Sequence, residues 1–386
     1  MIAAAALIAV MQSSLAAHIS PGPAPGTFYD PGPALHGKPG TLIRGEAMNG
    51  GPAGTPTYRI LYRSTNPEGQ LIAVSGIVIV PSTPVPPGGR NIVAWAHPTT
   101  GIATRCAPSI LPNVWGQIPG LGELLRRGWV VAATDYPGLG TAGIHPYLVG
   151  QSEARAVIDS VRAARELPES GASAHYAVWG HSQGAHAALW TGEIAAHYAP
   201  ELQLKGVAAA APPTNLGVLV DDDIHSTGGI ILTAYTVWSW SAFYGVNGAA
   251  AVVPSAIPPV EEIGARCVGT FGREYGIAQL ESQLLPKFLK IDPATTEPWA
   301  GLLVKNSTGH NPPGAPLFVS QGLRDDLVVP SVTLAFVDSV CRRRSPVRYL
   351  QLPNADHVGA ATEGAAPAAA WIADRFAGVP APTDCR

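Results

Sequence analysis

Five short apolar runs, each continuous rather than alternating, constrain this fold more than any other feature. They are "NIVAWAH" (91–97), "WVVAATD" (129–135), "HYAVWG" (175–180), "KGVAAAA" (205–211) and "PLFVSQG" (316–322). A strand with one wet face alternates polar with apolar. Continuous runs of this length predict parallel strands covered on both faces. Helical patterns separate them: "GLGELLRRG" (120–128), "SEARAVIDSVRAAREL" (152–167) with Ala156, Val157, Val161 and Ala164 on one stripe, and "GAHAALWTGEIAAHYA" (184–199), stopped by Pro200. "SVTLAFVDSVCRRR" (331–344), a last strand "VRYLQLP" (347–353) and a closing helix over "AAPAAAWIADRF" follow. "TYRILYRS" (57–64) and "LIAVSGIVIVP" (71–81) flank the turn "TNPEGQ" and read as a leading antiparallel hairpin. The expected fold class is α/β, a doubly wound, mostly parallel sheet.

Between Pro212 and Pro313 the alternation lapses. That stretch is helical in pattern, has no clear strand, and is dense in aromatics around Tyr235, Trp238, Trp240, Phe243 and Tyr244. A structureless loop of this length is uncommon in a compact domain. It reads as a helical cap over 213–313, inserted between core segments 18–212 and 314–386. Trp238, Trp240 and Phe243, with Tyr136 from the core, are candidate substrate-binding residues; the competing reading makes the aromatics the cap's own core. The Pro/Gly-rich stretch 20–40 reads as an extended surface arm.

The first residues, "MIAAAALIAVMQSSLAA", read as a signal peptide over 1–17, so the chain is expected to be secreted. No later stretch has 18 uninterrupted apolar residues, the minimum for a membrane span. A hydrophobic content of 46% against 13% charged residues suits a large buried core. Net charge is −3 and the basic run Arg342–Arg344 is short, which argues against a nucleic-acid partner. Four cysteines in an exported chain suggest two disulfides, with three pairings open. "DDDIH" (221–225) reads as a solvated surface rather than a metal site, and no phosphate loop or dinucleotide fingerprint is present. No cofactor or metal is expected.

The chemistry lies in "VWGHSQGAHAALW" (178–190). Gly-His-Ser-Gln-Gly spans a predicted strand–turn–helix junction, the setting of a nucleophile elbow. Glycines two residues either side of Ser182 let the backbone turn sharply and the helix pack close. A serine hydroxyl is inert at neutral pH and needs a base and an orienting acid. In α/β-hydrolases these follow in the order serine, acid, histidine. His357, in "LPNADHVGA", follows the last strand and is the candidate base; His310 sits in a Gly-Asn-Pro-Pro loop instead. In "FVSQGLRDDLVVP" the acid is Asp325 or Asp326, with Asp325 favoured by its position three residues past Gly322. Asp135 precedes the serine and is read as structural or pocket-lining. The N–H of Gln183 is one expected oxyanion donor, and the loop "PTTG" (98–101), with Thr99 or Thr100, supplies the other.

On these residues the chain resembles the secretory lipase family. The likeness is carried by "GTFYDPG", "HPTTG" with "CAPS" (106–109), "ATDYPGLGT" (133–141), "GHSQGAHAALW", "QGLRDDLVVPS" and "DHVGA". The resemblance implies an α/β-hydrolase fold with a helical cap, and hydrolysis of carboxylic esters. It implies Ser182, Asp325 and His357 as the triad, Thr100 and Gln183 at the oxyanion hole, and the pairs Cys106–Cys267 and Cys341–Cys385. The first pair would tether the oxyanion-side loop to the cap. The expected partner is a lipid or other hydrophobic ester, with transient contact to a lipid interface and a monomeric chain. A short-chain carboxylesterase, a serine peptidase or amidase of the same fold, and a non-catalytic binding protein are the alternatives.

Overall fold

The computed structural model describes residues 26–112, 114–224, 226–268, 284 and 288–385. The leader expected over 1–17 lies outside them. Nine strands form one sheet in the order β1-β2-β3-β5-β4-β6-β7-β8-β9. β1 (Leu42–Ala47), β2 (Thr57–Thr65) and β3 (Leu71–Ile79) run antiparallel, and β3 pairs antiparallel with β5 (Val130–Thr134). From there the sheet is parallel through β4 (Arg90–Ala96), β6 (Ala172–His181), β7 (Gln203–Ala210), β8 (Leu317–Gly322) and β9 (Val347–Leu352). The five continuous runs became β4 to β8. All five residues of β5 and all six of β8 are buried, as sheet positions covered on both faces must be.

Helices cover the two faces. On one lie α2 (Gly150–Glu166), α3 (Gln183–Tyr198) and α8 (Pro330–Arg342); on the other lie α1 (Leu121–Arg126) and α10 (Ala365–Phe376). The stripe Ala156, Val157, Val161 and Ala164 is wholly buried against the sheet. The segment after β7 carries α4 (Leu216–Asp223), α5 (Thr227–Tyr244), α6 (Ile257–Gly264) and α7 (Trp299–Asn306), which share a hydrophobic core of their own. α9 (His357–Thr362) was not anticipated; the Asp356 side chain caps it by accepting from the Gly359 N–H at 2.8 Å. Edge strand β1 was not anticipated either. The Pro/Gly arm is less detached than its composition suggests: Phe28 and Tyr29 form a short 3₁₀ turn and bury against Leu61, with the Arg59 guanidinium 3.9 Å from the Phe28 ring centroid.

Two disulfides close the fold, Cys106–Cys267 across 161 residues and Cys341–Cys385 across 44. The first joins the loop after β4 to the end of α6, and the second ties the end of α8 to the C-terminal tail.

The junction between β6 and α3 depends on two glycines. A Cβ at Gly180 would stand 2.1 Å from Gly184 O, and one at Gly184 would stand 1.9 Å from Ala96 O. Both obstacles are backbone atoms, which cannot rotate aside. Gly184→Ala is therefore expected to yield little soluble folded protein. Gly122→Ala, inside α1 with open space where its Cβ would sit, should raise the melting temperature through about 0.5–1 kcal/mol of helix propensity. Soluble yield and thermal melts of the two variants check this contrast.

Candidate active site

Ser182 sits at the tip of the β6–α3 turn with φ 56° and ψ −122°, a conformation L-residues rarely adopt. Its N–H donates to Ala210 O at 2.9 Å, so β7 holds the turn in place. Positive φ in a non-glycine residue costs about 1–3 kcal/mol and persists only where the surroundings over-determine it. Here a parallel strand on each side and helix-on-strand contact through two glycines supply that determination.

His357 Nδ1 lies 2.9 Å from Asp325 Oδ2 and 3.1 Å from Oδ1. Asp325 follows β8 and is 4% exposed, whereas Asp326 points outward and is exposed. Asp325 Oδ1 also accepts from the N–H groups of Leu327 and Val328, and its Oδ2 accepts from Gln321 Nε2. Burial pushes the Asp325 pKa up, but the charge and hydrogen bond of His357 and the two backbone amides outweigh it. The net result is a carboxyl below its ordinary value. Asp325 therefore stays ionised and presents an acceptor to one imidazole nitrogen. His357 and Ser182 face one cavity of about 150 Å³, with Thr99, Thr100, Ile231 and Leu327 also in its wall. No hydrogen bond joins the Ser182 hydroxyl to His357 in this structure; such contacts are commonly loose before substrate binds.

Two donors flank the serine. The Gln183 N–H opens α3, where helical N–H groups have no carbonyl to meet. Thr100 is 3% exposed and its hydroxyl has no hydrogen-bond partner among the described residues. Thr99 is engaged elsewhere, its hydroxyl 2.9 Å from that of Tyr147. A second cavity of about 40 Å³ reaches Ser182 from the Gln183 side, lined by Leu216, Leu219 and Leu303 among others. Leu232 and Leu327 border both cavities.

The aromatic candidates do not line either cavity. Tyr136 is fully buried behind the site and donates its hydroxyl to His97 O at 3.1 Å. Trp240 is fully buried, donates Nε1–H to Tyr147 O at 2.8 Å and stacks on Trp299. Trp238 packs on Gly264, and Phe243 meets Tyr244 edge-on. Trp238, Trp240 and Phe243 pack in the helical segment's own core and Tyr136 in the core of the sheet, so the expectation that these four line the substrate site is corrected. The apolar wall comes from aliphatic residues instead.

Three supporting residues, His181, Glu153 and His186, had no distinguishing signal in the sequence. His181 Nε2 lies 2.9 Å from the His357 carbonyl, and the two rings lie 4.9 Å apart. Behind the elbow, Glu153 Oε1 accepts from Gln183 Nε2 at 2.7 Å, and Oε2 lies 3.0 Å from His186 Nδ1. Asp135 accepts from the Ser75 and Ser109 hydroxyls and from the Ser109 N–H, which places it in structural support of the loops around the site.

Burial shifts titratable groups both beside the site and, in the case of Asp159 against Tyr198, at the far end of α3. It lowers His97 to about 4 and His145 and His181 to about 3, and it raises Asp135 and Asp159 to about 6. The unfolded chain protonates the three imidazoles near 6.5, whereas the folded chain resists until about pH 4 or below. Across that window the unfolded state binds more protons, so acidification destabilises the fold. The two carboxyls act oppositely between 3.8 and about 6, because there the folded state binds the extra proton. Three imidazoles against two carboxyls leave a net loss. The melting temperature should fall steadily from pH 6.5 to pH 4; calorimetric scans showing a flat or rising value would contradict neutral buried imidazoles.

Comparison with known proteins identifies the family and the fold. A model of the secretory lipase family matches residues 119–384. Lipase A of Moesziomyces aphidis is 23% identical over 392 residues, covering 92% of this chain and 81% of that protein. A protein of Mycobacterium tuberculosis described as a "Probable inactive lipase" is 25% identical, covering 92% of this chain and 82% of its own length. Candida antarctica lipase A in its closed state superposes with a TM-score of 0.75 at 20% identity, over 90% of this chain and 84% of that one. The sheet order, the helices on both faces and the family match lead to one conclusion: the chain has the α/β-hydrolase fold and belongs to the secretory lipase family.

Proposed function

We propose that the protein is a secreted serine hydrolase that cleaves lipid or other hydrophobic carboxylic esters through an acyl-enzyme. The observation that carries this reading is the meeting of Ser182, on its strained turn, with the Asp325–His357 pair at one apolar cavity. Ser182 Oγ attacks the ester carbonyl, and His357 takes its proton and returns it to the leaving alkoxide. Asp325 holds Nδ1–H, which leaves Nε2 as the base and stabilises the imidazolium. The Gln183 N–H and Thr100 stabilise the oxyanion. Water then resolves the acyl-enzyme. No step requires a cofactor. The helical segment 213–313 acts as a cap, since α5 contributes Gly228, Ile231 and Leu232 to the cavity that holds Ser182. The reading has the chain work as a monomer that touches a lipid interface transiently.

The relative described as inactive makes a non-catalytic binder the rival reading. Covalent labelling separates them: an active-site fluorophosphonate should label the wild type and not Ser182→Ala. Ser182→Ala should lose up to about 10⁶ in kcat, because the three residues act as a unit. Asp325→Asn should lose about 10⁴ through the wrong imidazole tautomer, while Asp326→Asn stays near wild type. The reverse order would move the acid by one residue.

Chain-length preference should reside in the aliphatic wall. Each methylene buried there contributes about 0.8 kcal/mol, so kcat/KM for p-nitrophenyl esters should rise from acetate to octanoate. Ile231→Trp, at the cavity wall, should lower octanoate turnover at least about tenfold relative to acetate. A wild-type profile that peaks at acetate would leave a short-chain carboxylesterase.

A further inference from the structure

The Cys106–Cys267 disulfide lies directly against the loop that carries Thr100. A Cβ built on Gly101 would stand 2.8 Å from Cys106 Sγ, 2.8 Å from Arg266 O and 3.0 Å from Cys267 Cα, and Gly101 has φ +117°. Gly101 pairs with Cys267 as an isolated antiparallel bridge, and the Val268 N–H donates to Thr100 O at 2.9 Å. Thr100 is thus held by its carbonyl from the far side of the disulfide, while its hydroxyl, in the wall beside Ser182, has no hydrogen-bond partner among the described residues. The other disulfide offers a contrast. Cys341 and Cys385 pack at the far end of α8, and neither they nor their sequence neighbours line the cavity.

We propose that the Cys106–Cys267 disulfide, with the Val268 N–H, is the positioning device of the oxyanion site. It clamps the turn at 99–101 so that Thr100 is presented to the charge that develops on the carbonyl oxygen. The proposal rests on Thr100 as the second oxyanion donor. An oxyanion donor works because it is already in place when charge develops, so a displaced donor forfeits most of its effect. The loop's own backbone does not place it: Gly101 can take its φ only because it lacks a Cβ, and the segment that braces it is brought there by a bond spanning 161 residues. Cys267 and Val268 are therefore positioning residues that act through Thr100.

The test compares Cys106→Ala/Cys267→Ala with Cys341→Ala/Cys385→Ala, both confirmed as folded by circular dichroism. Two quantities are read: kcat and KM for p-nitrophenyl acetate, and affinity for phenylboronic acid. The boron accepts Ser182 Oγ, whose proton passes to His357, giving a tetrahedral anion that needs the oxyanion donors. Loss of the first disulfide should lower kcat at least tenfold, towards the about 10²–10³ of a missing donor, with KM within threefold and boronate affinity falling in parallel. Loss of the second should lower thermal stability and leave kcat and boronate affinity within twofold. A folded Cys106→Ala/Cys267→Ala variant that keeps both within twofold overturns the proposal. Should that variant not fold, Val268→Pro, which removes the N–H and keeps the disulfide, is judged by the same criteria. A wild type that does not bind the boronic acid overturns the reading of the site itself, whereas equal binding by wild type and variant overturns only the clamp.

Discussion

Backbone packed directly on backbone at the β6–α3 junction is the constraint from which the rest follows. Gly184 approaches Ala96 O so closely that no side chain fits, and Gly180 approaches Gly184 in the same way. That contact brings the ends of β4 and β6 together, and with them the loop 98–101 and Ser182. β7 then fixes the serine through Ala210 O. Because the strands run parallel, the loops after β4, β6, β8 and β9 open on the same edge of the sheet, where ligands bind in open α/β folds. The site is a consequence of strand direction and of two missing side chains.

Electrostatics around the site follow a division of labour by burial. Asp325 remains charged in a dry place because amide N–H groups and an imidazole meet it. For His97, His145 and His181, burial outweighs the backbone carbonyls that meet their rings and holds all three neutral. His181, which packs on the His357 ring, is among the neutral ones. A proton on His181 would repel any positive charge on the His357 ring, 4.9 Å away.

Much of the sheet was legible because burial on both faces leaves a pattern that other environments rarely produce. β4 to β8 were plain for that reason, and the elbow was plain because Gly180 and Gly184 frame Ser182 at a strand-to-helix change. β1 escaped notice since it is a half-exposed edge strand with no apolar run. The choice between Asp325 and Asp326 depends on which carboxylate the chain turns inward; position three residues past Gly322 favoured Asp325, and that is the one the turn buries. The aromatic residues of α5 misled for a related reason. Composition shows that Trp238 and Trp240 seek burial, but not whether a substrate or a neighbouring helix provides it; Gly264 and Trp299 do.

The two disulfides divide the chain into covalent rings, and the division cuts across the active site. Ser182 lies within the ring closed by Cys106 and Cys267, and His357 lies within the ring closed by Cys341 and Cys385. Asp325 lies in neither, on the open stretch that joins them. A single peptide-bond cut inside either ring leaves the protein in one covalent piece. A cut anywhere between Cys267 and Cys341 separates it into two, with Ser182 on one piece and His357 on the other. After such a nick, the pairing of β7 with β8, or of β8 with β9 where the cut falls beyond β8, and the packing of the helices around them would have to keep Ser182 and His357 in the same molecule.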